Sequence, residues 1–209
     1  MKKRMKKRTG KQRAILEAAL QVFAEKGVAG TKIAEVAQRA GVGKGTIYEY
    51  YRSKEDLFFA VFEKYVDDLV SGSMVEISRI GGNAIQRLHV LLDAVFRSTL
   101  EHIDYFSIFF DFWSAAGNPS TRDRFRTALL SMYDTFREVI AAIVDEGKQS
   151  GLFRAGTNEY SVAAGLVGAM DGLMLQGWMD RSFDVQTAAS AFFDIFIAGM
   201  LSPEGKAVP

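Results

Sequence analysis

Lys44, Thr46, Tyr48 and Glu49 fall within six consecutive residues and carry an ammonium, a hydroxyl, a phenol and a carboxylate. On the outward side of one helix, such donors and acceptors suit the edges of bases in the major groove of duplex DNA. Placing them there requires a short rod with one buried side. The run from Lys44 to Tyr51 provides it, with Ile47 and one face of the Tyr50 and Tyr51 pair turned inward. Just upstream, Ile33, Val36, Ala37 and Ala40 recur at i, i+3, i+4 and i+7, which is one apolar face of a helix. Gly41 then supplies the positive φ of a sharp turn. Residues 31–54, TKIAEVAQRAGVGKGTIYEYYRSK, therefore predict a helix-turn-helix and a DNA-binding function.

The flanking segments support that module. Ile15, Ala18, Ala19, Val22 and Phe23 predict a bracing helix that stops at Gly27. Thr31 is placed to cap the next helix, and Ser53 with Asp56 forms a capping box for a fourth helix starting at Lys54. Charge divides the chain. Residues 1–65 hold 15 Lys and Arg against 7 Asp and Glu, net +8, while the rest hold 11 against 18, net −7. A basic head of this kind releases counterions from phosphates, so its affinity for nucleic acid should fall steeply with salt. Eight of the positive charges lie in MKKRMKKRTGKQR, where almost nothing is apolar, so a flexible basic arm is expected over 1–10. No apolar run follows those charges, and a secretory signal is not expected.

The residues Ala40-Gly41-Val42-Gly43-Lys44-Gly45-Thr46-Ile47-Tyr48-Glu49-Tyr50-Tyr51, followed by Ser53-Lys54-Glu55-Asp56-Leu57, resemble the head of the TetR family of bacterial transcriptional regulators. The likeness is detailed over residues 11 to 60; beyond them it extends only to length and helical character. It implies an all-α fold of about nine helices: a three-helix helix-turn-helix head and a larger helical ligand-binding and dimerisation body. It also implies that Thr46 and Tyr48 contact phosphates or bases, that Lys44 reaches guanine, that Lys54 anchors a phosphate and that Thr31 contacts the DNA backbone. With Lys32, Gly43, Gly45, Glu49 and Tyr50 these make up the expected DNA-binding set. Gly43 and Ala34 depart from the family, many of whose members have Ser and Arg there. Gly43-Lys44-Gly45-Thr46 also resembles the end of a phosphate-binding loop, but Gln38 stands where that loop needs glycine and the preceding segment has helical period.

Organisation follows as a head over 11–53, a body over 54–201 and a tail over 202–209, with breaks at Gly81-Gly82, Gly117-Asn118-Pro119, Gly151 to Gly156 and Arg181 to Asp184. The segment Tyr160 to Met179 is the most apolar and has Gly168 and Gly172 at GxxxG spacing. Asp171 and Gln176 within it argue against a membrane span. Its cover would be Val185 to Leu201 together with the same pair from a second subunit, a four-helix homodimer interface. Gly168, Gly172, Trp178, Phe192, Phe196 and Met200 are the expected interface residues, with Ala188 and Ile195 on the same rich face. Two-fold symmetry would set two recognition helices about 34 Å apart, matching a palindromic operator. The resemblance implies that a small effector in the body changes this spacing and releases DNA.

Aromatic and sulfur-bearing residues suit an apolar or aromatic effector. The expected ligand set is Phe96, Phe106, Phe109, Phe110, Trp113, Met132, Tyr133, Phe136, Met170, Asp171 and Met174, with Asp171 available to a cationic or hydroxylated group. For any single aromatic among them ordinary core packing is the commoner role, since aromatics at helical spacing usually fill cores. His89 and His102 are the two histidines and fall on different helical faces, His89 within reach of Asp93. With no cysteine, no metal site or cofactor is expected, and no Ser, His and acid grouping points to an enzyme. A cytoplasmic location is consistent with the absence of cysteine. An alternative stays open: a helical small-molecule-binding or interaction protein whose basic head contacts lipid or protein.

Overall fold

The structure is a computed structural model that describes residues 2–79, 82–101, 103–203 and 205, with the side chains of 2–9, 73 and 76–78 left aside. Among the described residues its regular secondary structure is all helix, apart from one isolated bridge pairing Phe153 with Leu201. The helices are α1 (Lys2–Gly30), α2 (Ile33–Arg39), α3 (Lys44–Tyr50), α4 (Lys54–Arg79), α5 (Ala84–Glu101), α6 (Ser107–Gly117), α7 (Arg122–Gln149), α8 (Glu159–Met179) and α9 (Val185–Met200), with a 3₁₀ turn at Ile103–Phe106 before α6. His102 and Gly81 lie outside the described residues, as does most of the expected tail.

At the N-terminus the backbone departs from irregular coil. The backbone of 2–10 is helical and continuous with α1, where composition predicts a flexible arm. Lys, Arg, Met and Gln are good helix formers, and extending a helix already nucleated by the Ile15 to Phe23 face costs little per residue. At its other end α1 kinks at Gly27, the expected stop, and a short turn carries the chain to Gly30.

Contacts divide the chain into two compact units, Met1–Asp67 with Asp104–Ala128, and Asp68–Ile103 with Leu129–Pro209. The first unit is larger than an 11–53 head for a physical reason. Helices of seven residues such as α2 and α3 are not stable alone and must be held by a core. That core is phenylalanine. The Phe58 ring meets Phe23 edge-on at 5.3 Å, Phe112 at 4.7 Å and Phe125 at 5.7 Å, while Phe62 stacks on Phe112. Each such pair adds roughly 0.5–1.5 kcal/mol beyond the area it buries. Arg124 closes the same unit, its guanidinium 3.8 Å over the Phe59 ring and paired with Asp56 at the start of α4.

The second unit packs α5, α8, α9 and the later turns of α7 around Leu88, Leu91, Leu92, Ile140, Ile143, Val144, Leu166, Phe193 and Ile197, all buried. Caps fix its helix starts: Asn158 accepts from Ser161 N–H at 2.8 Å and Asp184 from Thr187 N–H at 3.1 Å. Gly147 sits against the Phe153 ring so closely that a Cβ there would lie 2.1 Å from it. His89 faces Asp194 of α9 at 3.7 Å, whereas Asp93, its expected partner, pairs with Arg97. No helix among the described residues is long and apolar enough to cross a membrane.

Candidate nucleic-acid interface

The turn between α2 and α3 forms as the sequence requires. Gly41 adopts φ +65°, a conformation that residues with a Cβ avoid, and Val42 N–H returns to Ala37 O at 3.0 Å. Ile33, Val36, Ala37 and Ile47 are buried on the inner side, Ile47 to 1% exposure. The outer side of α3 is left free. Lys44, Gly45, Tyr48 and Glu49 are exposed, Thr46 and Tyr50 are half-buried, and Tyr48 shows 48% of its surface to solvent. Lys44 Nζ lies 5.9 Å from the centre of the Tyr48 ring, one helical turn away. This cation–π contact pre-places a charge and a phenol on one face at little entropic cost.

Ion pairs lock α2 onto α1. Arg39 reaches both carboxylate oxygens of Glu25, at 2.5 and 2.9 Å, and Lys26 reaches Glu35 at 2.7 Å. The Arg39 hydrogen bond holds the Glu25 carboxyl below its ordinary range, and the Lys26 bond does the same for Glu35, aided by the Lys32 backbone N–H. All four groups are at the surface, where such pairs set geometry more than stability.

One expected contact is corrected. Thr31 is 3% exposed, and its hydroxyl is donated to Gly27 O at 2.8 Å and Val22 O at 3.3 Å, so it is not open to a phosphate. Nor does it cap α2: Lys32 is the N-cap, with Glu35 accepting from its N–H. Lys54 Nζ donates to Ala29 O and Thr31 O, both at 3.2 Å, which ties the start of α4 to the elbow between α1 and α2. Two of its three protons are spent on this, leaving one for a phosphate oxygen. Lys32 and Gly43 are exposed. Ser53 caps α4 as expected, accepting from Asp56 N–H at 3.0 Å.

The expected ligand residues separate into two sets. In the first unit Phe106 meets Phe109 and Phe110, and Phe110 meets Trp113, at ring separations of 5.5 to 5.9 Å. Of these, Phe109 lines a small apolar crevice with Leu20, Val61, Phe62, Tyr65, Tyr105 and Ile108. In the second unit Phe96, Met132, Phe136 and Met174 are buried, Phe96 against Phe193 at 6.0 Å, while Met170, Tyr133 and Asp171 are half-buried. Tyr133 donates its hydroxyl to Asp171 Oδ2 at 2.9 Å. Burial holds the Asp171 carboxyl above the ordinary carboxylate range, opposed by the Tyr133 hydrogen bond and the charge of Arg137.

On α8 and α9 an apolar surface is left uncovered. Gly168 and Phe192 are exposed, and Gly172, Trp178 and Phe196 are half-buried. Phe196 packs 3.8 Å from where a Gly165 Cβ would lie. Met200 is corrected: at 5% exposure it points into the protomer, because α9 turns its Phe193, Ile197 and Met200 stripe toward the core. Ile195 at 73% and Met179 at 72% stand out instead. The 3.6-residue period links Ile195 to Phe192, a signal present in the sequence.

A basic head with a free recognition helix, joined to a helical body, defines the class of helix-turn-helix DNA-binding regulators. The family model for "Bacterial regulatory proteins, tetR family" matches residues 15–61, and that for "BetI-type transcriptional repressor, C-terminal" matches residues 84–202. The chain belongs to the TetR family of bacterial transcriptional regulators. It is similar to the fatty acid metabolism regulator protein of Bacillus subtilis (strain 168), 24% identical over 197 residues that span 94% of this chain and 98% of the relative. Among solved structures it is similar to the transcriptional regulator FadR from Bacillus subtilis in complex with stearoyl-CoA, with TM-score 0.74 and 21% identity over 90% of this chain and 98% of the other. A transcriptional regulator from Saccharomonospora viridis in complex with choline gives TM-score 0.77 and 24% identity over 91% and 97%. The chain is thus a non-enzymatic transcriptional regulator.

Proposed function

We propose that the chain is a cytoplasmic repressor that binds a palindromic operator as a homodimer and is released by a small apolar or aromatic effector. The observation that carries the DNA-binding half is the split of α3, with Ile47 sealed inside while Lys44, Tyr48 and Glu49 stand free beside Thr46. Arg and Lys pair with guanine in the major groove and carboxylates accept from cytosine, so this face offers one group of each kind. The uncovered apolar face of α8 and α9 supports dimerisation, since Ile195, Met179 and Phe192 expose large apolar area that a second copy would remove from water. The aromatic rings of α6, and the fatty-acid regulator among the similar proteins, favour an acyl or other apolar effector over a wholly polar one.

The test is selection of genomic fragments by the purified protein at low salt, followed by titration of the bound complex with stearoyl-CoA and, separately, choline. The expected result is an enriched palindrome with half-sites about one helical turn apart, released by the acyl compound. Fragments enriched without symmetry would rule out the dimeric operator. Recovery of no enriched sequence would favour a head that contacts lipid or protein.

A further inference from the structure

The backbone of the elbow between α1 and α2 is held in part from α4 and α6. Gly27 lies at φ 69° and ψ 163°, a region effectively closed to residues with a Cβ. Glycine permits that turn but does not select it, so something else must fix the angle. The next residue shows what does. Val28 N–H is donated to Asp111 Oδ2 at 2.9 Å, and Asp111 is carried by α6, 83 positions along the chain. A backbone amide past a helix kink needs an acceptor, and a carboxylate makes a stronger bond than a neutral carbonyl. From the other side Thr31 holds Gly27 O, and Lys54 holds Ala29 O and Thr31 O. Surface ion pairs of Lys26 with Glu35 and Arg39 with Glu25 also bridge α1 and α2, but the elbow's backbone groups at Gly27, Val28, Ala29 and Thr31 are held by Thr31 itself, by the start of α4 and by α6. Beside Asp111, α6 is not fully packed: Ile108 and Phe109 border the crevice that Leu20 of α1 and Val61, Phe62 and Tyr65 of α4 complete.

We propose that Asp111 is a positioning residue for DNA recognition: through the Val28 amide it sets the angle at which α2 and α3 leave α1, so that the placement of α6 governs whether α3 can enter the groove. The inference rests on the regulator function proposed above and adds the atom by which the response leaves α6. It assigns α6 a direct hold on the elbow, beside that of Lys54 at the start of α4.

Wild type, Asp111→Leu and Asp111→Asn are compared in two measurements. Hydrogen exchange at the Val28 amide, followed by NMR, requires no DNA. Asp111→Leu keeps the branched shape but has no acceptor and should speed exchange by about tenfold or more, while Asp111→Asn, whose amide oxygen still accepts, stays within about threefold of wild type. The second measurement is affinity for the operator selected by wild type and for a scrambled duplex of equal length. Asp111→Leu should lower operator affinity by about tenfold with scrambled-duplex affinity and salt slope unchanged, and Asp111→Asn should restore it. Equal losses on both duplexes, or a lowered melting temperature with an unaltered operator-to-scrambled ratio, would make Asp111 merely structural and overturn the proposal. Unchanged Val28 exchange in Asp111→Leu overturns it as well, as does failure of that variant to fold while Asp111→Asn folds. If wild type selects no operator at all, the regulator function fails, a result separable from an operator in hand whose recognition ignores Asp111.

Discussion

Tyr48 and Lys44 owe their placement to Ile47 between them, since burying that one side chain turns its neighbours outward. Thr31 looks interchangeable with them by residue type, yet it belongs inside. Replacing Thr31 with Val keeps its shape and removes a donor from two carbonyls, so stability should fall by about 1–2 kcal/mol in chemical denaturation while the salt slope of DNA binding stays unchanged. Asp171 yields a pH prediction. Its folded-state pKa is raised by burial, so its contribution to stability is full where both folded and unfolded chains are protonated and is lost as pH rises through the raised value. Asp171→Asn retains an oxygen for the Tyr133 hydroxyl and removes the charge. Its melting temperature should therefore exceed that of wild type by a margin that grows from about pH 4 to about pH 7, and a margin constant with pH would contradict the burial argument.

At the scale of elements, α2, α3 and their turn were legible because each rests on a local rule: an apolar period, and a glycine at the one position that needs positive φ. The cap at Ser53 and the start of α4 followed for the same reason. What local rules do not contain is the elbow. Asp111 has no sequence signal connecting it to Val28, and Lys54 reads equally as a phosphate anchor or a carbonyl clamp until the fold brings Ala29 and Thr31 to it. Over 2–10 the backbone continues α1, because low apolar content removes the drive to pack without removing the propensity to continue a helix. Gly147 marks a constraint of the α7 end visible only in three dimensions. Gly147→Ala would drive a methyl into the Phe153 ring and should destabilise the protein by about 1–3 kcal/mol, measured by urea denaturation; a neutral effect would mean that Phe153 can move aside.

For the molecule as a whole, charge and apolar surface sit on different parts of the chain. The net +8 of residues 1–65 suits phosphates, and the exposed apolar side chains of α8 and α9 suit a second copy. Met200 shows how far the proposed interface was readable: the composition of α9 predicts a rich face, but which side faces out depends on how Phe193 and Ile197 dock against α5 and the rest of the core. Ile195→Asp puts a charge on the uncovered side of α9 and should convert a dimer to a monomer in analytical ultracentrifugation, with far-ultraviolet circular dichroism unchanged. A wild-type protein that already sediments as a monomer at micromolar concentration would remove the two-fold operator from the account. The claim on which the rest depends is that the outer face of α3 reads sequence. Its most direct measurement is the affinity of wild type and Tyr48→Ala for the selected operator and for a scrambled duplex across a salt series. The account predicts that Tyr48→Ala loses about ten- to a hundredfold on the operator and almost nothing on the scrambled duplex, with wild-type log affinity falling linearly in log salt on both. Equal wild-type affinity for the two duplexes, or equal loss on both, would contradict it.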